Sequence, residues 1–258
     1  MRSLSVLLAL LCFLAAPAQA GSKKAKTKAA QTTAVDPKPE TDPSPPPLQA
    51  DPAAATAKTL NAEWAEIFYR LPSEAQTDKY SELLSRIRAF KAQYPRRAEP
   101  LILEAITLCT LAAADWGFDS LSRIGEAREL LEKSIDLDPK AMEASAFLTL
   151  GNLYYRLPGW PLSFGDEDQA LQYYEMAVRL YPDGLDANYF MGDYWLGEEE
   201  YDKALPYLEK ADKAPLRPAH RLSDSKLKGE VEKALKAARN RDNDHNDFFS
   251  QITPDFSE

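Results

Sequence analysis

Leu150-Gly151-Asn152-Leu153-Tyr154, then Pro158-Gly159-Trp160-Pro161-Leu162-Ser163-Phe164-Gly165-Asp166, then Ala170-Leu171-Gln172-Tyr173-Tyr174-Glu175-Met176-Ala177, with Pro182 close behind, is the stretch that decides the fold. A second copy follows as Met191-Gly192-Asp193-Tyr194-Trp195 and Ala204-Leu205-Pro206-Tyr207-Leu208-Glu209-Lys210-Ala211. Each copy reads as two short antiparallel helices, with small residues where the helices must approach closely. Gly151 and Gly192 hold the small position of the first helix. On the second helix Ala127, Ala170 and Ala204 are each followed seven residues later by Ser134, Ala177 and Ala211. Between them stand Leu131, Tyr174 and Leu208, always four after the first small residue. Pro139 and Pro182 close two of the units.

The set as a whole resembles the tetratricopeptide repeat, in which a large side chain fills the gap between small residues and a proline ends the unit. The resemblance implies an all-α chain: a right-handed superhelix of stacked antiparallel hairpins, about three to four repeats, with a C-terminal capping helix. Gly192 to Ala204 is 12 residues, whereas Gly151 to Ala170 is 19, so the loop from Pro158 to Asp166 carries a seven-residue expansion. Pro158 and Pro161 stiffen that loop. Gly159 and Gly165 are expected to supply positive φ, and Asp166 to cap the next helix, with Gln169 reaching back. Trp160 and Phe164 are expected to anchor the loop in the core.

The loop sharpens the resemblance. Leu-Pro-Gly-Trp-Pro-Leu-Ser-Phe-Gly-Asp, from Leu157 to Asp166, ahead of Gln-Ala-Leu-Gln-Tyr-Tyr-Glu-Met-Ala is similar to the T-component family of tripartite ATP-independent periplasmic (TRAP) transporters. It is also similar to more loosely defined bacterial repeat proteins that share the loop. The likeness spans about residues 98–238. It implies a periplasmic helical protein that works beside a transporter's substrate-binding subunit. Many members carry a lipid anchor. Here Leu11 precedes Cys12 where a small residue is needed, so no lipid attachment is expected.

Outward from the repeats, residues 1–20 read as a cleavable signal peptide: Arg2, an apolar run from Leu4 to Ala16, and Ala18-Gln19-Ala20 before a cut between Ala20 and Gly21. That predicts a periplasmic or secreted protein. Residues 21–57, with Lys23, Lys24, Lys26 and Lys28 and then prolines from Pro37 to Pro47, read as a disordered linker. Residues 58–239 read as the repeat domain, and 240–258 as a disordered acidic tail. Leu60, Trp64, Ile67 and Phe68 share a helix face, and Ser73 with Gln76 resembles a capping pair for the next helix. Leu227, Val231, Leu235 and Ala238 form the stripe of the capping helix.

The 258-residue chain carries a formal charge of −9 and has a pI near 5.0, which argues against a nucleic-acid partner. Only Cys109 would remain after signal removal, within an apolar helix, so it reads as a buried small hydrophobe and no internal disulfide is expected. There is no phosphate-cradling glycine loop, no His-Glu-x-x-His and no Cys-x-x-Cys. His220 and His245 lie far from one another and from Cys109. No enzyme activity, cofactor or metal is expected, and Glu198-Glu199-Glu200 reads as a solvated turn.

In a superhelix of this kind the concave groove is lined by first-helix side chains. With Gly151 turned to its partner helix, the groove positions are Leu148, Asn152, Tyr155 and Arg156. The same offsets from Gly192 give Tyr189, Asp193, Leu196 and Gly197. Asn152 matches the asparagine of a peptide-carboxylate clamp, but Leu148 stands where a clamp lysine would be, so Arg156 is the candidate for an anionic group. The expected function is a scaffold binding a protein or peptide in that groove. The alternatives are a small apolar or aromatic solute in an interhelical pocket and an enzyme with an unrecognised site.

Overall fold

A computed structural model describes residues 51–114 and 118–242. The proposed signal peptide, most of the linker, and the tail from 243 onward lie outside the described residues. Among those residues the chain is all-α: α1 (Pro52–Arg70), α2 (Ser73–Gln93), α3 (Glu99–Ala114), α4 (Phe118–Leu137), α5 (Ser145–Arg156), α6 (Glu167–Leu180), α7 (Leu185–Gly197), α8 (Tyr201–Lys213) and α9 (Arg221–Asn240). Short 3-10 turns at Ala141–Ala144 and Pro218–His220 precede α5 and α9.

The first helix begins at Pro52, inside the stretch that the sequence assigns to the linker. The cause is local. Asp51 accepts from the backbone N–H groups of Ala53 (2.9 Å) and Ala54 (3.3 Å), and Pro52 occupies the first turn, where its missing N–H costs nothing. The capping pair expected at Ser73 does not form. Pro72 is the cap residue, without a side-chain bond, and Gln76 instead donates to the carbonyls of Phe68 (3.2 Å) and Leu71 (2.8 Å). Gln76 thus satisfies the end of α1 rather than the start of α2.

Consecutive helices pack as hairpins, with α3 on α4, α5 on α6 and α7 on α8 forming the closest pairs. The odd-numbered helices also meet one another: α1 on α3, α3 on α5, α5 on α7, α7 on α9, and α9 back on α1. They make an inner ring, and the even-numbered helices lie outside it, each against its two neighbours in the chain. This explains why α3 lacks a polar face. It is buried from Pro100 to Ala113, as a helix surrounded on all sides must be. α5 is buried from Ser145 to Leu153, and α7 from Leu185 to Tyr194. The outer helices bury only a stripe: Ala170, Tyr174 and Ala177 on α6, and Ala204, Leu208 and Ala211 on α8.

The repeat positions explain how closely the hairpins close. A methyl group on Gly151 would sit 2.7 Å from a ring carbon of Tyr174, and one on Gly192 would sit 2.6 Å from Leu208. Ala127, Leu131 and Ser134 on α4 are likewise fully buried. Pro182 lies in the turn between α6 and α7, where its carbonyl accepts from Asn188 Nδ2 (2.9 Å). Cys109 is fully buried, and that burial pushes its thiol well above the usual range.

Candidate functional site

The eight groove positions are not an open groove. Leu148, Asn152, Tyr189, Asp193 and Leu196 are buried, and Tyr155, Arg156 and Gly197 are partly covered. The adjacent helices are the reason: Asn152 meets Tyr174 of α6, and Tyr155 and Arg156 meet Glu198 and Asp193 at α7. Asn152 Nδ2 donates to the Leu148 carbonyl (2.9 Å), and its Oδ1 accepts from the Tyr174 hydroxyl (2.9 Å). Arg156 donates to Asp193 (3.0 Å), both side chains being 6% exposed. The Tyr155 hydroxyl donates to Glu198 (3.0 Å), and its ring meets Tyr194 edge-on at 5.0 Å. Burial, then the nearby Glu198 carboxylate, pushes the Tyr155 phenol far above its ordinary range. The structure therefore brings Tyr155, Arg156 and Asp193 together at a polar seam between two hairpins, while Asn152 bonds to Leu148 and Tyr174 within its own hairpin. Arg156 is neutralised within the chain rather than held for an anion. Tyr189 stands apart from these bonds and packs on Phe190 (5.1 Å).

Glu198 is also not simply a solvated turn residue, since it is half-buried under Tyr155. Gly197 beside it is required for space, because a Cβ there would run into the Tyr155 hydroxyl.

A second polar cluster was not legible in the sequence. Arg217, in the link between α8 and α9, meets three carboxylates from three elements. It pairs with Asp224 of α9 (2.6 Å), Asp186 of α7 (2.8 Å) and Glu143 of the 3-10 turn before α5. The Arg217 backbone N–H adds a bond to Asp224 (2.6 Å). Three carboxylates around one guanidinium leave excess negative charge in a buried place. Burial, outweighing the pull of Arg217, pushes the Asp186 carboxyl up to about 7, and Asp224 and Glu143 add to it. Its Oδ1 has no hydrogen-bond partner. Met142, Glu143 and Ala144 all have left-handed φ, at 51°, 52° and 63°. Each costs about 1–2 kcal/mol for a non-glycine residue. The Glu143–Arg217 pair, the bond from Ser145 Oγ to the Met142 carbonyl, and that from the Tyr181 hydroxyl to the Lys140 carbonyl (2.8 Å) hold this run. The four charged residues lie at 143, 186, 217 and 224, so no local pattern announces them.

The expanded loop also departs from expectation. Its internal bonds run from Leu162 N–H (3.2 Å) and Ser163 N–H (3.3 Å) to the Gly159 carbonyl, and from Gly165 N–H to the Pro158 carbonyl (3.0 Å). Asp166 N–H donates to the Tyr154 carbonyl (2.9 Å), and the Asp166 carboxylate caps α6 through Gln169 N–H (3.0 Å). Neither Gly159 nor Gly165 has positive φ. Gly165 is needed for space instead, because a Cβ would overlap the Leu157 carbonyl. Phe164 anchors the loop, edge-on to Tyr154 at 5.1 Å and beneath the Arg128 guanidinium at 4.8 Å. Trp160 does not. It is 89% exposed, and Leu162 is 65% exposed. The turn from Gly159 to Leu162 points away from the core because Phe164, not Trp160, fills the space beside Tyr154.

Among the described residues no group of histidine, cysteine and carboxylate side chains could hold a metal ion, and no helix is long and apolar enough to cross a membrane. Compared with known proteins, the chain matches no family model and no curated protein.

Proposed function

We propose that the chain is a non-enzymatic, exported scaffold of tetratricopeptide-like hairpins that binds a protein or peptide partner. The observation that carries this reading is the bonded loop that holds Trp160 and Leu162 in solvent. An exposed tryptophan on a pre-ordered segment is the kind of side chain that dominates protein interfaces, because little conformational entropy is lost when it is covered. The close packing of Gly151 against Tyr174 and of Gly192 against Leu208 supports the hairpin-repeat part of the reading. With the inner helices closed on one another, the binding surface belongs to the loop end rather than to a central groove. A role beside a solute transporter's binding subunit rests on the loop's resemblance to TRAP T-components.

The test is cross-linking of the full chain in the cell that makes it, followed by purification under denaturing conditions. A protein adduct that recurs with the native chain and is lost in a Trp160→Ala, Leu162→Ala double variant supports the proposal. Recovery of no protein adduct, or of one indifferent to both substitutions, sinks it. Trp160 and Leu162 are largely exposed, so the double variant keeps its melting temperature.

A further inference from the structure

Met142, Glu143 and Ala144 are three consecutive left-handed residues, none of them glycine, in the connection from α4 to α5. Their side chains favour the opposite hand. Alanine, methionine and glutamate are strong formers of right-handed helix, and α5 begins at the next residue, Ser145. Strain of this kind persists only where surrounding contacts over-determine it. Met142 and Ala144 are buried, whereas Glu143 reaches across to Arg217 in the α8–α9 link.

Arg217 divides its donors unequally. Its backbone N–H, Nε and Nη2 all serve Asp224 (2.6, 3.1 and 2.6 Å). Nη1 is left to both Glu143 and Asp186, the latter at 2.8 Å. Two carboxylates from different elements are therefore rivals for one nitrogen. Protonated, Asp186 is a weak rival. Ionised, it draws Nη1 and repels the Glu143 carboxylate beside it. Burial holds the Asp186 carboxyl up to about 7, Asp224 and Glu143 add to this, and Arg217 opposes it. Asp186 Oδ1 has no hydrogen-bond partner that would stabilise the ionised form. The remaining titratable groups here keep one state across neutral pH. Burial and then Arg217 push His220, which also faces Asp224 and Lys58, down to about 4. Burial and then Glu143 push the Tyr181 phenol up at the end of α6. Lys228, which faces Asp224, is lowered by burial but bonded to the Ala211 carbonyl (2.8 Å).

We propose that the proton on Asp186 is the catch for this strained run. While it is bound, Arg217 Nη1 grips Glu143 and keeps residues 142–144 left-handed. When it leaves, Asp186 takes Nη1, Glu143 is expelled, and the run relaxes to a right-handed turn continuous with α5. The α4–α5 connection thus has two states, selected by pH through the neutral range. The experiment is nuclear magnetic resonance of the full chain labelled at methionine, glutamate and alanine, reading the intraresidue HN–Hα distance at 142–144, which is shorter at positive φ. The short distances are expected at about pH 5.5 and lost by about pH 8.5, with a midpoint near 7. Asp186→Asn, which cannot ionise, keeps them at both values. Glu143→Ala, which removes the grip, lacks them already at the lower one. Short distances that persist at the higher pH in the native chain, or that are lost equally in Asp186→Asn, overturn the proposal. So does a folded Glu143→Ala chain that retains them. If Glu143→Ala fails to fold, the native chain and Asp186→Asn decide the matter between them.

Discussion

At the scale of single residues, the buried charges make the most specific predictions. Asp186 is held protonated up to about 7 by burial, so the folded state binds a proton that the unfolded chain has released. Its contribution to stability is full below the unfolded carboxylate range, near pH 4, and is lost as pH rises through about 7. His220 has the opposite sign. Burial and then Arg217 push it down to about 4, so its contribution is present above the unfolded histidine range and lost as pH falls through 4. Across the interval between, the two slopes oppose, each up to about 1.4 kcal/mol per pH unit. Chemical denaturation of Asp186→Asn from pH 4 to 7 should therefore show stability rising with pH, as His220 is left uncompensated. His220→Gln should show it falling. Identical slopes in the two variants would refute the assignment. Gly151→Ala should cost about 1–3 kcal/mol, since the new methyl meets the Tyr174 ring, which the Asn152 bond holds in place. A melting temperature equal to that of the native chain would contradict that packing.

At the scale of helices, what the sequence reveals and what it hides divide along physical lines. The stripes at Ala127, Leu131 and Ser134, at Ala170, Tyr174 and Ala177, and at Ala204, Leu208 and Ala211 repeat at helical spacing, and all nine side chains are buried. Burial of that kind is written in local periodicity, so it can be read directly. Asp166 is legible as a cap for the same reason. The start of α1 is not, because Asp51-Pro52 sits among prolines and alanines that resemble the linker. The Arg217 cluster is not, because its partners come from three separate elements. Nor is the orientation of the loop: Trp160 and Phe164 are equally apolar, and only the geometry of Tyr154 selects Phe164 as the anchor. The proline at 206 lies inside α8 and is exposed, so the Asp202 carbonyl lacks its usual helical donor. Pro206→Ala restores that donor and should raise stability by roughly 1–2 kcal/mol, less than the ~3 kcal/mol that a proline costs in a helix interior, because the substitution also frees the unfolded chain. A thermal melt settles the sign; no change or a decrease would mean that the proline ring is itself packed favourably.

At the scale of the molecule, the inner ring sets this chain apart from an open array. In an open stack of hairpins each unit touches only its neighbours, so a lesion at one end leaves the other end's opening unchanged. Here α1 packs on α9, and Asn61 Nδ2 lies 3.5 Å from His220 Nδ1 across 159 positions of sequence. The two ends of the described chain share one boundary, so they should open together. Leu227 on α9 is fully buried, and Leu227→Ala removes a core side chain at a cost of about 2–5 kcal/mol. Amide exchange measured where it reports opening equilibria should then quicken by about 30-fold or more in α1, as it does in α8 and α9. The comparison with α8 makes the result decisive, since α8 borders α9 in either architecture. Faster exchange in α8 and α9 with α1 unmoved would mean that the ring opens readily at the α1–α9 contact and that the hairpins unfold as an open array does.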